Sequence, residues 1–175
     1  MPAQHSTLLG VTRGLLWLML GLVAAATVLV LVVGIALIAA WPDVMVELKN
    51  SKVFVDPGII QSQLLWMMAV LAAILAVAVY VLRQLQALVA SAATGDPFVP
   101  ANARRLRRIG WGLVAAQLLA IPLHMIASSV AAAHSEFAGM GGLSLNNILA
   151  ILLAFVLAAV FEQGAAMRDE LEGTV

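Results

Sequence analysis

Between Arg13 and Asp43 the chain carries no charged side chain, and the run Leu15–Ala40 is almost wholly apolar. About 20 apolar residues in a helix cross the roughly 30 Å hydrocarbon layer of a bilayer. This run is longer, so it can tilt or protrude. A cleaved signal sequence has an apolar region of only about 7–15 residues. The run is therefore read as a retained first span, 15–40.

Three more stretches repeat the pattern. Leu64–Leu82 is a second span, closed by Arg83. Past it, Leu82, Leu85, Val89 and Ala92 keep helical spacing while Arg83, Gln84, Gln86 and Ser91 fall elsewhere, so the helix is expected to leave the membrane as an amphipathic turn or two. Gly95 is the expected stop, and Pro97 and Pro100 break the helix. A third span, 109–131, opens beside Trp111, a residue suited to the interfacial belt. A fourth occupies 143–161. The connections are 41–63, 83–108 and 132–142. The first of these carries Asp43, Glu47, Lys49, Lys52 and Asp56, with turn signals at Asn50-Ser51 and Asp56-Pro57-Gly58. It has room for a short strand or helix.

Composition agrees with this reading. Of 175 residues, 63% are hydrophobic and 10% charged, against roughly half and a quarter in a soluble domain. The net formal charge is zero, so no global basic field points to direct nucleic-acid binding. Cysteine is absent, which removes disulfides, thiolate metal sites and thiol catalysis. No cofactor is expected. The fold class is all-α: a single integral-membrane domain, a four-helix transmembrane bundle.

Charge sets the orientation. Arg13, Arg83, Arg104, Arg105, Arg107, Arg108 and Arg168 fall on one side of the four spans, and Lys49 and Lys52 on the other. The positive-inside rule puts the arginines, and with them both termini, in the cytoplasm. Residues 41–63 and 132–142 then face outward.

No span holds an Asp, Glu, Lys or Arg near its middle, whereas ion-coupled transport usually needs such a group. The third span does carry Gln117, His124 and Ser128 at i, i+7 and i+11 on one helical face, with Pro122 among them as a source of a kink. This face is a candidate polar cluster, or simply a set of interhelical hydrogen bonds. Asn146 and Asn147 can bond to it or cap the fourth helix. Glu162 can pair with Arg13 or Arg83. Ala69, Ala72, Ala73, Ala76 and Ala78 permit close helix contact in the second span. No nucleophile, base and acid can be grouped, so no enzyme is expected.

Two segments together resemble a known family. One is Gly95-Asp96-Pro97-Phe98 followed by Asn102 and Arg104-Arg105-Leu106-Arg107-Arg108-Ile109-Gly110-Trp111. The other is Phe161, Gly164 and Met167-Arg168-Asp169-Glu170-Leu171-Glu172-Gly173-Thr174-Val175. In this order they resemble the YoaS-like bacterial four-helix inner-membrane proteins, a domain of unknown function. Where many relatives carry an acid near the end of the fourth helix, this chain has Ala159, and Glu162 follows. Genes of that family often sit beside a small helix-turn-helix regulator, so the resemblance implies a cytosolic partner of that kind.

The expected role is thus non-enzymatic: a regulatory membrane protein whose surface of Asp96, Phe98, Asn102, Arg104, Arg105, Arg107, Arg108, Arg168, Asp169 and Glu170 meets a partner. That basic and acidic surface can also close on itself. Anionic lipid headgroups are a second expected partner, and a homo-oligomer a third. The alternative is a small oligomeric transporter or channel working through Gln117, His124 and Ser128.

Overall fold

The computed structural model describes residues 2–50, 57–93, 97–131 and 145–172. Among them are five helices and no strand: α1 (Pro2–Ala39), α2 (Trp41–Asn50), α3 (Pro57–Ala93), α4 (Pro100–Ala131) and α5 (Leu145–Glu172). Four are long and apolar enough to cross a membrane, over Gly10–Ala39, Gly58–Ala93, Pro100–Ile126 and Leu145–Glu170. Gly95, Asp96, Lys52, Asp56 and the connection 132–142 lie outside the described residues.

The helices outrun the expected spans. As anticipated, α3 continues past Arg83, to Ala93. The four clustered arginines, expected in a connection, instead lie in the first turns of α4. The cause is local. Pro100 stands at the first helical position, where its fixed φ suits a helix and its missing N–H is no loss, and Arg and Leu are good helix formers. Pro122 does not end α4, which runs on to Ala131.

The chain divides into two compact units, 24–76 with 118–142, and 1–23 with 77–117 and 143–175. In the first unit α1 meets α3 where a Cβ on Gly34 would stand 3.6 Å from Met68 Sδ. The break between α1 and α2 falls at Ala40, whose carbonyl accepts from the amides of Asp43 and Val44, both at 3.1 Å. Pro42 explains it: a proline clashes with the carbonyl four residues back and has no N–H to give. Asp43 then sits in the first turn of α2, where the helix dipole favours a carboxylate.

The second unit packs α3, α4 and α5. Its core is Leu106, Ile109, Ala154 and Ala158, flanked by Val81, Leu85, Leu88, Leu113 and Phe161. Helices α3 and α4 run antiparallel in fixed register, with Ser91 against Asn102, the Ala87 carbonyl against Arg105 and Val81 against Gly112. Against α5 the register is likewise antiparallel, from Arg107–Glu162 through Trp111–Phe155 to Gln117–Asn147.

Burial is inverted relative to a soluble protein. Of the seven buried hydrophobic residues among those described, four are alanines, Ala103, Ala154, Ala158 and Ala165. Large apolar side chains such as Leu18, Leu22, Ile35, Leu149 and Leu153 are exposed. In water an apolar surface of this extent would drive aggregation. In lipid no hydrophobic force pulls helices together, and close approach of small residues does so instead. Of the small residues expected to serve this purpose in α3, Ala69 and Ala76 are exposed, while Ala72, Ala73 and Ala78 are half-buried. The close contacts lie on α4 and α5.

Two glycines of α4 show how tight the contacts are. A Cβ on Gly110 would stand 3.0 Å from the ring of Phe155 on α5, and one on Gly112 would stand 2.6 Å from Val81 Cγ2 on α3. Ala is favoured over Gly in a helix by about 1 kcal/mol. At Gly112 the clash decides the sign, because a β-branched neighbour cannot swing away cheaply. Gly112→Ala is expected to lower stability by about 1–3 kcal/mol, read as unfolding in detergent. Gly21→Ala, which meets nothing within 4 Å, should be neutral or stabilising. Equal effects at the two positions would refute the close α3–α4 contact.

Candidate functional site

The polar side chains of the α3–α4–α5 unit gather where α3 ends, α4 begins and α5 finishes. At the centre is Asn102, only 1% exposed. A buried primary amide must place its two N–H groups and its oxygen or lose their hydration energy. Asn102 does so: Nδ2 donates to Ser91 Oγ and to the Pro97 carbonyl, each at 2.9 Å. Its Oδ1 accepts from Arg105 Nη1 at 2.7 Å. The same Arg105 nitrogen reaches the Ala87 carbonyl at 3.3 Å. Asn102 thereby ties the last turns of α3, the Pro97–Val99 link and the first turns of α4 together.

Phe98, in that link, reaches α5. Its ring lies over Gly164, where a Cβ would come within 2.7 Å of Phe98 Cδ1. It also packs on Phe161 with ring centroids 5.2 Å apart and planes tilted by 39°. Only a residue without a side chain at position 164 leaves this seat open.

Next to it Arg107 Nη2 donates to Glu162 Oε2 at 2.7 Å, with the two side chains 54% and 60% exposed. A groove of about 350 Å3 runs along this pair, lined by Pro100, Ala103, Arg104, Arg107, Glu162, Ala165, Ala166 and Asp169. Its floor is alanine and its rim carries both signs of charge. At the far end of the α4–α5 contact, Asn147 Nδ2 donates to Gln117 Oε1 at 2.8 Å.

The residues expected to form one outward surface therefore divide. Asn102 and Arg105 spend their polar groups on contacts between α3, the link and α4, while Phe98 packs on Phe161 and stays 42% exposed. Arg104, Arg107, Arg108, Arg168, Asp169 and Glu170 are exposed. Arg107 of the basic segment pairs with Glu162, which lies outside the acidic tail expected to close on it. Glu162 pairs with Arg107, not with Arg13 or Arg83. In the polar face of α4, Gln117 takes the anticipated bond from Asn147 and His124 is exposed. The side chain of Ser128 lies outside the described residues.

The inward roles of Ser91 and Gln86 were not legible. Both were assigned to the polar side of an amphipathic turn, yet Ser91 accepts from Asn102 and Gln86 buries its Nε2 without a hydrogen-bond partner. The available signal was Asn102 itself, a polar residue two positions into a helix that starts with proline. Among the described residues no group of three His, Cys, Asp or Glu side chains is placed to hold a metal ion.

Four spanning helices, exposed apolar faces and small-residue contacts define a multi-pass, all-helical membrane protein. Sequence comparison makes this specific: the chain belongs to the family described as protein of unknown function DUF2975, which matches residues 39–175. That match takes in α2 to α5. No curated protein and no solved structure matches the chain.

The geometry ranks the contacts. Asn102→Ala removes one hydrogen bond each from Arg105, Ser91 Oγ and the Pro97 carbonyl, and is expected to cost about 1–3 kcal/mol. A double-mutant cycle on the exposed Arg107–Glu162 pair should give only about 0.2–1 kcal/mol. Both are read as unfolding free energies in the same detergent, and the reverse order would show that the charged pair, not the buried amide, holds this end together.

Proposed function

We propose that this chain is a YoaS-like bacterial inner-membrane protein with both termini in the cytoplasm, acting without catalysis as the membrane partner of a small cytosolic helix-turn-helix transcription regulator. The observation that carries the proposal is the groove between α4 and α5. Arg104 and Arg107 line it beside Glu162 and Asp169, over Ala103, Ala165 and Ala166. A floor of alanines flanked by both signs of charge suits a helix from another protein, with small side chains below and alternating charge above. Charged rims of this kind steer association and fix register more than they add affinity. The distribution of seven arginines against two lysines supports a cytoplasmic position for this end.

Photocrosslinking from position 166 in living cells tests the partner. A DNA-binding protein captured there, and lost when Asp169→Lys and Arg104→Glu are introduced, is the expected result. No protein crosslink from position 166 would overturn the docking role. Reporter fusions test orientation: the fusion at residue 100 is expected inside and the fusion at residue 50 outside. An external reporter at 100 would reverse the topology.

A further inference from the structure

We infer that Arg104, Arg108 and Trp111, on the outward stripe of α4, form a site for an anionic membrane phospholipid, the two guanidiniums taking its phosphate and the indole lying beside its glycerol region. Positions 104, 108 and 111 are four and three residues apart, so they share one face of the helix. All three are exposed, Trp111 by 62%. The inference concerns lipid, not the cytosolic partner, and stands whether or not that partner exists.

Charge selects the residues. Of the four clustered arginines, Arg105 is turned inward onto Asn102 and the Ala87 carbonyl. Arg107 is held by Glu162. Arg104 and Arg108 form no ion pair among the described residues. They are the cations left for an outside anion, and a guanidinium matches two phosphate oxygens at once.

Depth selects the ligand. A helix rises about 1.5 Å per residue, so Arg108 stands about 4.5 Å and Arg104 about 10.5 Å beyond Trp111 along the axis. The headgroup layer of one leaflet is about 5–8 Å thick. With the Trp111 ring at the membrane interface, where indoles concentrate, Arg108 lies at phosphate level and Arg104 closes from the water side. Trp111 is held in place: its ring meets Phe155 edge-on, with centroids 5.6 Å apart and planes at 82°. The indole is thus positioned beside the lipid's glycerol region before any lipid arrives.

The test is titration of the purified full-length protein in detergent with phosphatidylglycerol or phosphatidylcholine, read by native mass spectrometry as bound-lipid adducts. Phosphatidylglycerol is expected to bind more tightly. Arg104→Gln with Arg108→Gln should weaken it by roughly tenfold or more, toward the phosphatidylcholine level. Arg107→Gln with Glu162→Gln should leave it unchanged, and Arg104→Lys with Arg108→Lys should retain most of it. Helicity and elution volume check that each variant is folded, and Arg108→Gln alone serves if the double variant is not. Equal binding of the two lipids, an unchanged affinity in the Gln variants, or full displacement by millimolar inorganic phosphate would overturn the assignment.

Discussion

Everything in this protein follows from folding in a solvent as apolar as its own side chains. Leucine and valine gain nothing from leaving lipid for the protein interior, so cohesion must come from contact distance and hydrogen bonds. That is why alanines and glycines of α4 and α5 supply the closest contacts, with a few large residues such as Leu82, Leu106 and Ile109 between them, while many large residues face outward. It is also why so much depends on one amide. Asn102 has few alternatives for its hydrogen bonds where water is scarce, and the partners it finds lie on three separate pieces of chain.

The same logic divides the arginine cluster. Four guanidiniums within five positions read as one basic patch in the sequence. Helical geometry separates them by roughly 100° per residue, so they do not share one environment. One satisfies backbone and amide oxygens, one meets a carboxylate on α5, and two face outward. A count of charges therefore overstates the surface available to any single ligand.

Much of the architecture was legible in the sequence, because apolar runs of membrane length have few other uses. The four spans, the break at Trp41-Pro42-Asp43 and the continuation of α3 beyond Arg83 follow from period, length and polarity, and the Gln117–Asn147 bond is one of the two roles open to Asn147. The site was less so. Exposed and buried polar residues look alike in a sequence, and which face of α3 met α4 was not fixed by pattern: Ser91 and Gln86 lay on the side read as solvent. The pairing of Glu162 with Arg107 depended on the α4–α5 register, which the intervening 132–142 connection conceals. Among the residues that carry the resemblance, Phe98 and Gly164 meet across the α5 contact and Asn102 ties α3 to α4.

Gly110 and Gly112 have a consequence for how this end of the molecule can move. They lie on opposite flanks of α4, one filled by Phe155 and the other by Val81. Any roll of the helix about its own axis brings a bulkier residue into one of those seats, and the neighbouring helix must be pushed away. Rotation is thus blocked in both senses, and Trp111 between them keeps a fixed bearing. A signal passing along α4 would have to travel as a tilt or as a displacement along the axis, shared with α3 and α5, not as a twist.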